Sequence, residues 1–194
     1  MRIVGGTFRG LKLAELGQGD AAAHLRPTTD RVREAVFNLL INGNHGNPVP
    51  NARVLDLFAG TGALGLEALS RGADHVTFVD NGPKSQALIR ANAERARVTD
   101  RVEIRRGDAT RLGGNGGQPH GLVFLDPPYA RRMGEKAVIS ALDGGWIAPD
   151  AMIVWEESRP PDIPAPLVLI DQRKYGDSII SLVRVPAGAS VSSF

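Results

Sequence analysis

The sequence predicts a doubly wound α/β fold around a seven-stranded, mostly parallel sheet. From Ala52 onward, short runs rich in Val, Leu and Ile alternate with segments of helical periodicity, as expected for strands joined by crossover helices. Two final apolar runs, LVLIDQRKYG and SIISLVRV, have no helical segment between them. They predict a terminal hairpin that places an antiparallel strand in the sheet.

Eight segments before that hairpin show either a strand pattern or a helix pattern. Strands buried on both faces are continuous apolar runs, whereas helices repeat their apolar residues every three or four positions. In chain order the segments are RVLDLF, ALGLEALSRG, HVTFVD, PKSQALIRANAERAR, VEIRRGD, LVFLDPPY, GEKAVISALDGG and MIVWEE. The second, fourth and seventh predict helices, and the other five predict strands.

The beginning of the chain predicts an extension to this domain. Residues 1–13 place short apolar stretches around glycines, which predicts a small hairpin outside the main core. RPTTDRVREAVFNLLI predicts a helix, because Thr28 or Thr29 can cap its first turn and apolar residues recur at helical spacing. The breakers in NGNHGNPVP end that helix. The predicted divisions are an extension over 1–50, a main domain over 51–186 and a flexible tail over 187–194.

Composition excludes several classes of protein. The chain has 194 residues, enough for one domain, and its 42% hydrophobic and 23% charged residues are typical of soluble proteins. No apolar stretch approaches the roughly 20 residues that span a bilayer. The absence of Cys excludes disulfides and thiolate metal sites, and the N-terminus lacks the apolar run of a secretory signal. We expect a cytoplasmic, monomeric protein with no metal and no membrane contact.

The charge is distributed unevenly. Residues 1–33 carry six basic and three acidic side chains, a net charge of +3 in a chain whose total is +2, so the remainder carries −1. Such an asymmetry can steer a polyanion toward one end of a molecule, and a solvated basic surface is the alternative interpretation.

Several side chains outside the motifs have ordinary structural interpretations. The four His residues lack metal-ligand spacing and are expected on the surface or in loops. Trp146 and Trp155 are expected to pack at the sheet. Glu156 and Glu157 follow the fifth predicted strand and are expected to face solvent at its end; the alternative is that one of them reaches the site.

A glycine-rich turn follows the first predicted strand. Gly60, Gly62 and Gly65 satisfy the pattern GxGxxG, in which glycines allow a tight turn and the close approach of a ligand. Asp80 ends the next strand, twenty residues after Gly60, where its carboxylate can accept hydrogen bonds from a ribose diol. The predicted ligand therefore contains a nucleoside.

Two further acids bear on which nucleoside binds, since dinucleotides and S-adenosylmethionine share this geometry. Asp56, at the end of the first strand, would disfavour a pyrophosphate and favour a cationic methionine moiety. Asp108 follows the third strand, where it either contacts the adenine edge or caps a helix, and its position leaves both open.

The string LVFLDPPYA predicts the chemical site. Pro127 and Pro128 fix φ near about −65° and remove two backbone donors, so the loop is rigid and presents acceptors. An exocyclic amine on a nucleobase is a weak nucleophile because its lone pair is delocalised. If the Asp126 carboxylate and the Pro127 carbonyl accept its hydrogens, the nitrogen can attack a sulfonium methyl group in line. Tyr129 supplies a face for an extruded base; the alternative is a proline turn that only caps the strand.

Together these motifs resemble amino-group methyltransferases with an Asp/Asn-Pro-Pro-aromatic motif. The chain is similar to the bacterial 16S ribosomal RNA guanine-N2 methyltransferases of the RsmD family, and the resemblance covers nearly the whole chain. Its opening string and RPTTDRVRE are the specific parts, since DPPY is shared with DNA methyltransferases. The resemblance implies a Rossmann-like class I methyltransferase fold, S-adenosyl-L-methionine as cofactor, and 16S ribosomal RNA in a small-subunit particle as partner.

The resemblance also implies roles for individual residues. The catalytic motif is Asp126, Pro127, Pro128 and Tyr129. Phe58, Gly60 and Gly62 line the methionine end of the cofactor. The other implied cofactor-binding residues are Asp56, Asp80, Asn81, Asp108, Ala109, Arg26 and Thr28. The implied RNA-binding residues are Arg2, Arg9, Lys12 and Arg31.

Three other functions are open at this point. Adenine-N6 methylation of DNA keeps the chemistry, but the chain leaves no room for a separate target-recognition domain. A nicotinamide-dependent oxidoreductase would use the glycine turn and leave DPPY without a role. A non-catalytic RNA-binding factor could retain the fold.

Overall fold

One seven-stranded sheet with four helices forms the described part of the chain. The computed structural model describes residues 1–15, 29–128 and 132–188. Its strands are β1 Arg53–Leu57, β2 His75–Asp80, β3 Val102–Arg106, β4 His120–Leu125, β5 Ile147–Glu157, β6 Val168–Tyr175 and β7 Ser178–Arg184. Its helices are α1 Asp30–Asn42, α2 Ala63–Ser70, α3 Pro83–Ala96 and α4 Met133–Asp143. Apart from residues 187 and 188, the predicted tail lies outside these ranges.

The strand order is β3-β2-β1-β4-β5-β7-β6. β1 pairs in parallel with both β2 and β4, and β4 pairs in parallel with β5. β7 is antiparallel to both of its neighbours, β5 and β6. The predicted α/β class and the predicted terminal hairpin are therefore confirmed.

Helices cover both faces of the sheet, so its central strands β1 and β4 are buried on both sides. On one face, α1, α2 and α3 contribute Phe37, Leu66 and Ile89 to a core that includes Phe124 of β4. On the other face, α4 packs Val138 into a second core. None of the helices in the described ranges has the length and apolarity that crossing a membrane requires.

The N-terminal hairpin joins the main core. The predicted hairpin is present, and Arg2 and Lys12 form its antiparallel bridge. The prediction that it lies outside the core is wrong, because Ile3 is 0% and Leu13 is 5% exposed and both pack in the α1–α3 core. Apolar side chains of a two-stranded hairpin cannot be buried by the hairpin alone, so they are buried against the helices.

Buried polar groups attach this hairpin to α2. The Glu67 carboxylate is fully buried and accepts the N–H groups of Val4 and Gly5, each at 2.8 Å. Ser70 Oγ accepts the Phe8 N–H at 2.9 Å and donates to the Gly5 carbonyl at 2.6 Å. The hairpin is therefore held by backbone hydrogen bonds at several points along its length.

α1 begins as predicted, with Thr29 as its N-cap. Thr29 Oγ1 accepts the Val32 N–H at 3.3 Å, which satisfies one of the free amides at the helix start. Thr28, the alternative cap, lies outside the described residues.

Two side chains expected at the surface are buried. His120 opens β4 at 2% exposure, with Nδ1 2.9 Å from the Trp146 carbonyl and Nε2 3.0 Å from Thr77 Oγ1. Desolvation lowers the pKa of this imidazole. Glu156 is 6% exposed and accepts a hydrogen bond from the Ser178 hydroxyl at 2.7 Å, because β7 covers the end of β5. Their surface assignments were therefore wrong.

Candidate active site

Three neighbouring strands end at one edge of the sheet and bring predicted site residues together. Leu57, at the end of β1, is in register with Val79 of β2 and Leu125 of β4. Strands in a sheet lie about 4.8 Å apart. The residues that follow these three positions are Phe58, Asp80 and Asp126. The glycine turn follows β1, and the segment Asp126-Pro127-Pro128, here called the proline corner, follows β4. The two therefore start from adjacent strands, at the edge where open α/β sheets bind ligands.

The glycine turn after β1 has left-handed backbone at alternate residues. The angle φ is 59° at Phe58, 56° at Gly60 and 77° at Gly62. This conformation suits Gly but costs roughly 1 to 3 kcal/mol at a residue such as Phe58, and such strain collects at functional sites. At Gly65 a Cβ would lie 2.4 Å from Phe78 Cε1, so glycine is needed for α2 to pack on β2.

Asp80 braces the glycine turn from the neighbouring strand. Its Oδ2 accepts the Gly60 N–H at 2.9 Å, and its Oδ1 accepts the Gly82 N–H at 2.8 Å. Each carboxylate oxygen has a second lone pair that can accept a ribose hydroxyl. The ribose contact stays a prediction, and the bracing role is one that the sequence did not indicate.

Asp56 faces the start of α2 and is only 2% exposed. Its Oδ2 accepts the Gly65 N–H at 3.0 Å. Burial raises the pKa of this carboxyl to about 8, the Gly65 hydrogen bond opposes the rise, and the charge of Asp80 adds to it. Burial therefore favours the protonated carboxyl in the folded chain, and the negative charge expected to favour a cationic methionine moiety stays a prediction. A contact with the methionine moiety stays a prediction.

The remaining cofactor candidates lie after β2 and β3. Asp108 is exposed and caps the short 3-10 turn Ala109–Arg111, since its Oδ1 accepts the Thr110 N–H at 2.9 Å. Of its two interpretations the structure therefore supports the helix cap, and contact with adenine stays a prediction. Ala109 is buried and Asn81 is exposed.

The proline corner directly follows β4. Asp126 is half-buried, Pro127 is buried and Pro128 is exposed. Tyr129 lies outside the described residues, and its stacking role stays a prediction.

The predicted RNA-binding residues are all exposed. Arg2 Nε lies 3.5 Å from Asp30 Oδ2, so its charge is partly balanced. Arg9, Lys12 and Arg31 present their side chains to solvent. Two other residues of the predicted site, Arg26 and Thr28, lie outside the described residues.

Sequence reasoning missed Asn92, which links the N-terminal extension to the glycine turn. This fully buried residue of α3 accepts the Ala14 N–H at 2.6 Å through Oδ1. Its Nδ2 donates to the Ala14 carbonyl at 3.3 Å and to the Thr61 carbonyl at 3.0 Å. Its position on the buried face of α3, three residues after Ile89, is the signal that could have found it.

The glycine turn and the Asp80 carboxylate fit the adenosine portion of a cofactor. At Gly62 a Cβ would lie 3.2 Å from both Phe78 Cε1 and Ile89 Cγ1, so a larger residue would require these packed side chains to shift. Asp80 adds acceptor capacity directly beside that turn. Across the described ranges, no three His, Cys, Asp or Glu side chains are grouped as metal ligands.

The chain is similar over most of its length to bacterial methyltransferases. The family described as conserved hypothetical protein 95 matches residues 1–184. "Ribosomal RNA small subunit methyltransferase D" of Escherichia coli strain K12 is 40% identical over 173 residues, covering 85% of this chain and 80% of the relative. The Haemophilus influenzae protein of the same name is 34% identical over 186 residues, covering 91% and 89%. The solved structure of Escherichia coli yhhF has a TM-score of 0.81 and 35% identity, covering 96% of this chain and 98% of that one.

Asn92→Asp tests the link between the extension and the glycine turn. The change keeps an acceptor for the Ala14 N–H but replaces the amide donor with an oxygen that faces the Thr61 carbonyl. We expect roughly tenfold weaker binding of S-adenosylhomocysteine, equivalent to about 1.4 kcal/mol, measured by calorimetry. Ser70→Ala is the matched control, because it loosens the hairpin without contacting the turn. Equal affinities for the two variants would contradict the link.

Asp56 should make stability depend on pH. Between about pH 4 and pH 8 the unfolded chain has this carboxyl ionised while the folded chain keeps it protonated, because its folded pKa is about 8. In this range the folded state binds one proton more than the unfolded state. The contribution of Asp56 to the free energy of unfolding therefore falls as pH rises, by at most about 1.4 kcal/mol per pH unit.

Asp56→Asn removes this titration. In urea denaturation across that pH range, we expect the variant to gain stability relative to the parent as pH increases. Parallel pH profiles for the two proteins would show that Asp56 is ionised in the folded chain.

Proposed function

The chain belongs to the RsmD family of methyltransferases, and on that premise we propose that it methylates the exocyclic N2 of a guanine in 16S ribosomal RNA. The proline corner beside the glycine turn is the observation that carries the proposal. β1 and β4 are adjacent, so a base amine at Asp126 and a methyl donor at Gly60 would meet at one edge of the sheet. The substrate RNA is expected in a small-subunit particle, because folded RNA offers the shape that so small a protein can recognise.

S-adenosylmethionine supplies an electrophilic methyl group on a positively charged sulfur. Gly60, Gly62 and the Asp80 carboxylate are the groups proposed to hold it. The Asp126 carboxylate and the Pro127 carbonyl would accept the two hydrogens of the guanine amine, which orients the nitrogen lone pair. The donor would supply the methyl group and leave as S-adenosylhomocysteine, and Asp126 would accept the proton that the methylated nitrogen releases. Positioning and electrostatics supply the catalysis.

Methyl transfer to purified small subunits tests the proposal. The subunits come from a strain lacking the gene for this protein, and the digested RNA is analysed by mass spectrometry. N2-methylguanosine in 16S ribosomal RNA is the expected product, with low turnover on short unstructured RNA. N6-methyladenine in duplex DNA offered in parallel would overturn the substrate assignment. Thermal stabilisation by NAD and not by S-adenosylhomocysteine would overturn the cofactor assignment.

Asp126→Ala tests the catalytic role of the proline corner. Loss of the carboxylate should lower kcat at least about 100-fold while leaving the affinities for S-adenosylhomocysteine and RNA close to those of the parent. Asp126→Asn keeps one acceptor oxygen and should retain more activity than Asp126→Ala. Asp143→Ala, at the exposed end of α4, is the control and should leave kcat unchanged. Full activity of Asp126→Ala would place the amine acceptor elsewhere.

A further inference from the structure

We propose that α3 carries a second RNA-binding surface, which contacts the phosphate backbone of the substrate beside the N-terminal hairpin. The inference rests on the proposed function, since it describes how the same RNA is held. It adds residues of the main domain to the four RNA-binding candidates of the extension.

Positive charge among the described helices is concentrated on α3. α1 has two basic and two acidic residues, α2 has one acid, and α4 has one base and two acids, whereas α3 has three bases and one acid. The segment 83–111 carries eight basic and four acidic residues, a net charge of +4. Because the whole chain carries +2, all other residues together carry −2. This excess is larger than that of residues 1–33.

The three bases of α3 lie along its solvent side, and Arg97, the left-handed C-cap residue, follows them. Lys84 and Arg95 are eleven residues apart, about three helical turns, so they share one side of the exposed surface, and Arg90 lies on another part of it. All four side chains are exposed, and Glu94 is the one acid within this span. The helix therefore presents positive charge over about 20 Å.

Two of the four acids in segment 83–111 are engaged with other groups. Glu103 Oε1 pairs with Arg105 Nε at 2.6 Å, and Asp108 caps its own turn. Within the described residues, Arg90 and Arg95 have no ion-pair partner. Seven of the eight bases in segment 83–111 are Arg, whose planar guanidinium matches phosphate geometry. The charges of Arg90 and Arg95 are therefore available to a polyanion.

The surface is continuous with the hairpin. α1, α2, α3 and the hairpin all contribute to the core on the same face of the sheet. Ala14 is hydrogen-bonded to Asn92 of α3, which brings Lys12, two residues earlier, next to this helix. A phosphate backbone that contacts the hairpin would meet the bases of α3 next. RNA is the partner that this continuous positive surface fits.

The double variant Arg90→Gln with Arg95→Gln tests the surface. Gln has high helix propensity, so the helix should persist. The control is the double variant Lys136→Gln with Lys174→Gln, which removes the same amount of positive charge from exposed sites. Lys136 lies on α4, on the other face of the sheet, and Lys174 lies on β6, the edge strand opposite β3. Binding to small subunits from the strain lacking the gene is measured over a range of salt concentrations, together with kcat, KM and S-adenosylhomocysteine affinity.

The α3 variant should bind small subunits roughly tenfold more weakly at low salt, with a salt slope reduced by about one for each lost phosphate contact. Its KM should rise in proportion, while kcat and S-adenosylhomocysteine affinity stay at the parent values. The control should bind as the parent does. An equal loss in both variants would indicate a general effect of net charge, and no loss in either would indicate a solvated face; both results overturn the proposal.

The two proposals fail in different ways. A parent protein that methylates 16S ribosomal RNA while the α3 variant behaves like the control would refute the surface alone. A parent that binds RNA through α3 but transfers no methyl group would refute the proposed function alone.

Discussion

The parallel pairing of β1 between β2 and β4 is the constraint on which the site depends. Parallel strands end at the same edge, so the turn after β1 lies between the acid that ends β2 and the corner that follows β4. Asp80 can brace Gly60 only because these strands are neighbours. Apolar side chains on both faces fix the register, since a slip of one residue would exchange the two faces.

Buried polar groups make the N-terminal extension part of the same rigid unit. The Glu67 carboxylate accepts backbone amides of the hairpin and also binds Arg71 Nε at 2.8 Å. Detaching the hairpin would remove both backbone hydrogen bonds from the Glu67 carboxylate, and a hydrogen bond to a charged group contributes about 1.5 to 3 kcal/mol. Asn92 extends this connection to the glycine turn. The exposed bases of the hairpin are thereby held in a fixed position relative to the glycine turn.

Charges of opposite sign occupy different regions. The Asp80 carboxylate lies beside the glycine turn, where a cationic ligand would interact with it favourably, while the bases of α3 are exposed on its outer side. A polyanion is thus attracted to the helix layer and disfavoured at the turn itself. Desolvation keeps the Asp56 carboxyl mostly neutral at pH 7, which limits the energetic cost of two neighbouring acids.

The sequence by itself determined the α/β class, the seven strands, the terminal hairpin, the α1 cap and the order of the turns that carry the site. Periodicity, caps and glycine patterns act over a few residues, so they can be read locally. Only the tertiary structure decided the burial of Ile3, Leu13, His120 and Glu156, the protonation of Asp56, and the structural roles of Asp80 and Asn92. Each of these depends on segments that are distant in the chain and packed together in space, and no local pattern encodes the desolvation and hydrogen bonding that such packing creates.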